Sequence, residues 1–469
     1  MVQGPNVGMV AAALGWLAPA SGFAATIQPH AAVRGSEVSR VEVRAAGKTW
    51  RGAAWDDLDR ARVDPGSYEI RFDADGGSLG AHVQLPHCAG RARITVDGRG
   101  VTAPAGPALV ALPPGTHDIR ITVSVSNYER RIACGDRPRV GEAASSVEGL
   151  GMLTFDSPAW VRGGGMAVVY VPPRHDVRAP AALLVGLHPW NGTMWTYAAY
   201  AELLRAAAAL DVVLLLPSGL GNSLYTAEAE EEVMRAIAAV SGVIAIDPRA
   251  VTIWGASMGG AGAATIGLHR PDRFAAVVSF FGDSKYDTTT YVRAILPDEA
   301  AAHLVNALDV ADNARHVPVW LVHGEQDRTC PIQQSEMLAR ALADRGFRVR
   351  FDRVPGEGHS GALVARFLPE VVFAAATARV PEDVTRVTFR SVRPSDTRAY
   401  GLTLVRRAAT GDAFVDVERS DGVVHLRRAE GVRSVLLARG ALGTSPERAP
   451  PPIEGGAQAG VDVRWEARP

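Results

Sequence analysis

Three residues of this 469-residue chain could together make a hydroxyl reactive. Gly255-Ala256-Ser257-Met258-Gly259 is a GxSxG pattern. Alone it is weak, so its context must decide. Here AVTIW precedes Gly255 as an apolar strand, and MGGAGAATIGLHR follows as a helix. A serine at so sharp a strand-to-helix turn is held in a strained conformation, with its hydroxyl pushed out over the carboxyl edge of a sheet. Small neighbours are required because a Cβ at 255 or 259 would meet the crossing backbone. The bland reading is a glycine-rich turn present only for close packing.

A serine hydroxyl is a poor nucleophile near neutral pH and needs a base. His359, in PGEGHSG, has glycines around it and lacks the apolar neighbours of a core histidine. A base histidine needs an orienting carboxylate. Asp327 follows the apolar run VPVWLVHG, at the same sheet edge. Asp283, just after FFG, is a rival acid, and Glu357 is the bland neighbour. Such a site should lose activity as His359 becomes protonated.

The oxyanion of the tetrahedral intermediate also needs donors. Met258 N–H sits at a helix N-terminus, where the dipole favours negative charge. A second donor should come from His188-Pro189-Trp190-Asn191-Gly192, which follows AALLVGL. Pro189 has no N–H, so Trp190 N–H is the better choice, with the Asn191 amide as an alternative. His188, His269 and His323 read as structural. Trp190, Trp195, Tyr197, Tyr200 and Tyr225 fall near the same edge, where most read as packing. Trp190 and Tyr225 are best placed for a pocket, and Asn191 is a further pocket candidate.

The elements around these residues have two periods. Residues 38–145 read as short alternating strands (SYEIRF, GAHVQL, ARITVDG, ALVAL, HDIRITVSV), which argues for a β-sandwich. Asp97-Gly98 marks a hairpin turn. GEAASSVEG, 141–149, reads as a linker. Over 150–378, fully apolar strands alternate with helices, the pattern of a doubly wound, mostly parallel sheet in an α/β domain. Residues 283–316 break the alternation and suggest an inserted cap. Period two returns over 382–444, a small C-terminal β domain, and the Pro/Gly-rich tail 445–469 reads as disordered.

Composition narrows the partners. Hydrophobic residues are 47%, charged residues 21% and net charge −1, an ordinary globular balance that points away from nucleic acid. No apolar run reaches the length of a spanning helix. Residues 8–25 are apolar and end in small residues, so 1–25 reads as a signal peptide and the protein as secreted or periplasmic, although MVQGPNV carries no basic residue. Cys88 and Cys134 could pair in an exported protein or be two separate thiols, and Cys330 is left over. No CxxC, HExxH or Walker A motif is present, so neither a metal nor a cofactor is expected.

The central region resembles an α/β-hydrolase of the prolyl-oligopeptidase-like and secreted-esterase group. The resemblance runs over about 180–376 through LLVGLHPWNG, AIDPRAVTIWGASMGGAGAATIGLHRPDRFAAVVSFFG, LVHGEQDRTCPIQQSEML and VPGEGHS. It implies Ser257 as nucleophile, Asp327 as acid and His359 as base, in that family's chain order. The sequence departs from many relatives at Pro189, where they have glycine. The propeller repeats of true oligopeptidases are absent, and the N-terminal β module is too small to form such a gate. The expected function is a serine carboxyl-ester hydrolase acting on a small-molecule or polymer-linked ester. The alternatives are a peptidase of the same fold, or a carbohydrate- or cell-wall-binding protein with an idle hydrolase domain. A peptidase would be favoured by an acidic pair holding a free amino terminus, but Glu228–Glu232 reads as the solvated face of a helix.

Overall fold

The computed structural model describes residues 26–29, 38–45, 47–53, 66–74, 77–84, 91–100, 108–112, 114–124, 139–142, 149–156, 164–192, 194, 196–286, 295–296 and 298–466. The leader expected at 1–25, Cys88, Cys134 and Trp195 lie outside the described residues. From residue 150 the main elements are β1 (Leu150–Asp156), β2 (Gly164–Tyr170), β3 (Ala181–Leu187), α1 (Ala201–Leu210), β4 (Val212–Pro217), α2 (Glu228–Val243) and β5 (Ile246–Ala256). They continue with α3 (Met258–His269), β6 (Ala276–Phe280), β7 (Val319–Gly324), α4 (Gln333–Asp344), β8 (Val349–Val354) and α5 (Gly361–Thr377). The chain divides into two compact units, residues 1–181 with 188–246, and 182–187 with 247–469.

In the first unit, the strands Val38–Ala45, Gly66–Ala74, Arg91–Val96 and Gly115–Ser124 belong to one six-stranded sheet. Gly77–Gln84, Ala108–Leu112 and Arg139–Glu142 form a separate three-stranded one. Arg139–Glu142 therefore begins as a strand within the stretch read as linker. The expected hairpin is present: Val96 pairs with Arg99, and Asp97 and Gly98 have φ of 50° and 73°. Two positive φ values in a two-residue loop match the right-handed twist of the flanking strands. Further along, β1 pairs with β2 and β2 with β4, both antiparallel. The α1 helix buries Leu203, Leu204 and Ala207, a stripe at helical spacing, and stops at Asp211 in the left-handed region. Glu228, Glu230 and Glu231 occupy the first turn of α2, where the dipole favours them. The run is not a solvated face, however. Glu230 and Glu232 are buried, because their side of α2 is also the side of Val233, Ala236 and Ile237.

In the second unit, β5, β6, β7 and β8 are parallel neighbours. Helices on the crossovers make that pairing possible, whereas β1, β2 and β4 pair antiparallel. The mostly parallel expectation thus holds for β5–β8, and the strands as a whole are mixed. The register pairs Ala256 with Phe280, Phe280 with Val322, and Gly324 with Val354. The carboxyl ends of four strands therefore line one edge, and the segments leaving them carry Ser257, Phe281, Asp327 and His359. All twelve residues of α3 are buried, and its Gly and Ala content permits this: a Cβ at Gly267 would collide with Val277.

The described part of 283–316 is a helical connector, with a short helix at Glu299–His303 and a 3₁₀ stretch at Leu308–His316. It is fastened to its surroundings: Asn313 donates to the carbonyls of Leu268 and Arg390. The C-terminal region forms two four-stranded sheets that share one apolar cluster, including Val387, Phe389, Leu404, Val415, Val435 and Leu437. The tail 445–469 is not featureless as read. Ile453–Glu454 and Asp462–Trp465 add parallel strands, because Ile453, Val461, Val463 and Trp465 find that cluster to pack on.

The C-terminal region is bonded to α3. His269, the last residue of α3, is buried with Nδ1 2.6 Å from Asp396 Oδ2, and Arg393 Nε lies 2.8 Å from the same oxygen. Burial works to raise the Asp396 carboxyl, but His269 and Arg393 outweigh it and hold it at about 2. A depressed carboxylate stabilises the fold fully above its unfolded value of about 4, and that contribution is lost as pH falls toward about 2. Asp396→Asn leaves the buried His269 and the half-buried Arg393 without the carboxylate they share. It should lower unfolding free energy by about 3 kcal/mol at pH 7, read as a fall in the urea midpoint. An unchanged midpoint would refute the role of this cluster.

Candidate active site

Ser257 is the N-cap of α3, with φ 55° and ψ −121°. Serines at this position normally cap the helix with the side chain, but here the hydroxyl makes no cap hydrogen bond. Its backbone N–H donates instead to the Phe280 carbonyl at 2.9 Å, and its carbonyl accepts from Ala261 N–H at 2.9 Å. Such a backbone costs on the order of 1–3 kcal/mol, supplied by the buried helix and strand on either side. Glycine at 255 is a steric requirement: a Cβ there would overlap the Gly259 backbone and come within 2.6 Å of Leu187 O. Gly255→Ala should therefore destabilise the unit by about 3 kcal/mol or prevent soluble folding. A urea titration at wild-type midpoint would contradict this.

Asp327 and His359 are joined. His359 Nδ1 lies 2.7 Å from Asp327 Oδ2, with Asp327 buried and His359 half-exposed. The other oxygen, Oδ1, accepts from Thr329 N–H at 2.8 Å and Cys330 N–H at 2.9 Å, closing the loop after β7 into a tight turn. Burial pushes the Asp327 carboxyl up, but hydrogen bonds from His323, His359 and Cys330 N–H outweigh it and hold the acid well below the usual carboxylate range. The rival Asp283 is buried and accepts from the Cys330 thiol at 3.0 Å. Burial, with the Asp283 charge, pushes that thiol far up, so Cys330 is an inert neighbour. Gly324 allows the two loops to meet, since a Cβ there would strike the Glu357 backbone.

One contributor was not foreseen. The Phe281 ring centroid lies 4.3 Å from that of His359, and Phe281 N–H donates to Val322 O at 2.8 Å. Phe280 holds the backbone of Ser257 while Phe281 packs on His359, so one dipeptide at the end of β6 contacts both residues. The signal available in sequence was FFG ending an apolar strand at the same edge.

Residues 225–367, a span holding Ser257, Asp327 and His359, match the prolyl oligopeptidase family. No curated protein matches the chain. Among solved structures, an S-formylglutathione hydrolase from Agrobacterium tumefaciens is 19% identical, covering 50% of this chain and 98% of its own, with a TM-score of 0.44. A fluorophosphonate-binding serine hydrolase of Staphylococcus aureus is 17% identical, covering 48% and 97%, with a TM-score of 0.41. A ferulic acid esterase is 16% identical, covering 48% and 98%, also at 0.41.

Met258 opens α3 in the second unit, whereas Trp190, Asn191 and Tyr225 lie in the first, with Tyr225 just inside the matched span. His188 is buried between two carbonyls, with Nδ1 2.9 Å from Pro189 O and Nε2 2.8 Å from Ser218 O. Burial lowers its basicity, consistent with the structural role read from sequence. Asn191, at φ 59°, gives its backbone N–H to Asn222 Oδ1 at 2.7 Å, and its side-chain oxygen accepts from Asn222 Nδ2 at 2.7 Å. Trp190 and Asn191 are half-buried. Tyr225 corrects the sequence reading. It is 0% exposed, so it does not wall a solvent-reached pocket; its ring fills the space a Cβ at Gly219 would need, and its hydroxyl donates to His188 O at 3.2 Å. Among the described residues no helix is long and apolar enough to cross a membrane.

Proposed function

We propose that this chain is a serine hydrolase that cleaves carboxylic esters through an acyl-enzyme. The observation that carries the reading is the 2.7 Å bond from Asp327 to His359 Nδ1. A proton fixed on Nδ1 leaves the lone pair on Nε2, which is what a base for Ser257 requires. Ser257 Oγ attacks the ester carbonyl as Nε2 takes its proton, and a tetrahedral oxyanion forms. Met258 N–H, at the start of α3, would stabilise that oxyanion. His359 then protonates the departing alkoxide, leaving the acyl group on Ser257. Water, deprotonated by the same histidine, attacks the acyl-enzyme and releases the acid.

The family match gives a second reading weight, a peptidase on the same site. A panel of p-nitrophenyl esters of rising chain length, feruloyl and acetyl-sugar esters, and aminoacyl anilides separates the two. Ester turnover with inert anilides supports the esterase, and the reverse replaces it with the peptidase. Export rests on residues 8–25, and N-terminal sequencing of protein recovered from the medium tests it.

A further inference from the structure

We propose that His323 is a positioning residue for this site, a second histidine on Asp327 that sets how strongly the acid grips His359. The inference rests on the reading of Asp327 and His359 as acid and base. His323 lies on β7 and is 0% exposed. Its Nε2 is 2.9 Å from Cys330 O and 3.5 Å from Asp327 Oδ2, the oxygen that also receives His359. Its Nδ1 is 2.8 Å from Ser335 Oγ at the start of α4. Carbonyl and carboxylate can only accept, so the hydrogen belongs on Nε2, and Nδ1 accepts from the Ser335 hydroxyl. One N–H thus serves two acceptors, and Ser335 fixes which nitrogen carries it.

Two consequences follow. The N–H ties Cys330 O back to β7, closing from outside the turn that Asp327 closes from inside through Thr329 and Cys330 N–H. It also places a positive dipole end beside Asp327 Oδ2, weakening the field that carboxylate exerts on His359. The other groups facing this cluster are the Cys330 thiol, Asp283 behind it and the Phe281 ring against His359. None of them donates a second N–H toward Oδ2 in this arrangement, so His323 is the group whose removal changes the field there.

The test is the pH dependence of kcat/KM on a p-nitrophenyl ester. In His323→Met the donor is lost, the His359 imidazolium forms more readily, and the acid limb should move to higher pH. With the loop loosened, kcat at the optimum should fall on the order of tenfold or more while KM changes little. His323→Gln, which returns an N–H near Nε2, should restore the limb. Ser335→Ala, a gentler change, should move it in the same direction by less. Equal loss in His323→Met and His323→Gln with no shift of the limb overturns the proposal, as does a wild-type profile in Ser335→Ala together with His323→Met. His359→Ala separates the two levels: activity surviving there refutes the base assignment, whereas an inactive His359→Ala beside unshifted His323 variants refutes only the role of His323.

Discussion

Ser257→Ala should abolish covalent labelling by a fluorophosphonate and lower kcat for ester hydrolysis by at least about 10,000-fold. The expectation follows from the backbone. Ser257 sits at φ 55° with its hydroxyl outside the helix cap, so the side chain contributes little to holding α3 in place. The helix start is secured by main-chain bonds, Ser257 N–H to Phe280 O and Ala261 N–H to Ser257 O, which alanine keeps. The variant should therefore fold with an unchanged circular dichroism spectrum and urea midpoint while losing the nucleophile. The residual rate should be that of binding and oxyanion stabilisation alone. A folded Ser257→Ala protein that still labels would remove Ser257 from the reaction.

The parts of the site legible in sequence were those whose context is local. Ser257 is announced by glycines two residues either side, and the register shows why: the strand end and helix start leave no room for a side chain at 255. Asp327 follows an apolar run and His359 the strand VRFDRV, each ending in a glycine-containing turn, and parallel strands bring such strand ends to one edge. What escaped is what depends on distant neighbours. Phe281 looks like any aromatic at a strand end until His359, 78 positions later in the chain, lands on its ring. Glu230 and Glu232 carry charge, and charge on a helix usually means solvent, but which face is covered is decided by the strands beside α2. Tyr225 had the right position for a pocket but turned inward, its ring packed so closely on Gly219 that a Cβ there would collide with it. The tail's proline and glycine content hid four apolar residues that complete a β cluster built from strands far upstream. Composition reports average behaviour, whereas a few well-spaced side chains suffice to order a short strand.

Asp327→Asn should lower kcat about 10,000-fold in a protein that still folds. The amide has one acceptor and one donor, and the loop dictates which goes where. Thr329 N–H and Cys330 N–H both point at Oδ1, so the asparagine must keep its carbonyl oxygen there. Turning the amide over would set two donors against two donors. The NH₂ group is then forced into the place of Oδ2, facing His359 Nδ1, which can meet it only with a lone pair. The imidazole proton moves to Nε2, and the nitrogen that should accept from Ser257 becomes a donor. The turn bonds to Oδ1 are preserved, but the depressed carboxylate is lost and the new NH₂ faces the His323 Nε2–H, so unfolding free energy near pH 7 should fall by about 1–3 kcal/mol while the protein still folds. Because hydrogen bonds hold the native carboxyl well below the usual range, the acid stays ionised as pH falls. The wild-type acid limb should therefore report protonation of the histidine and not of Asp327. Asp327→Asn should recover at high pH, where hydroxide takes over the role of the misplaced base. A variant that keeps wild-type kcat at neutral pH would show that His359 takes its orientation from elsewhere, and Asp283 would be the acid to test next.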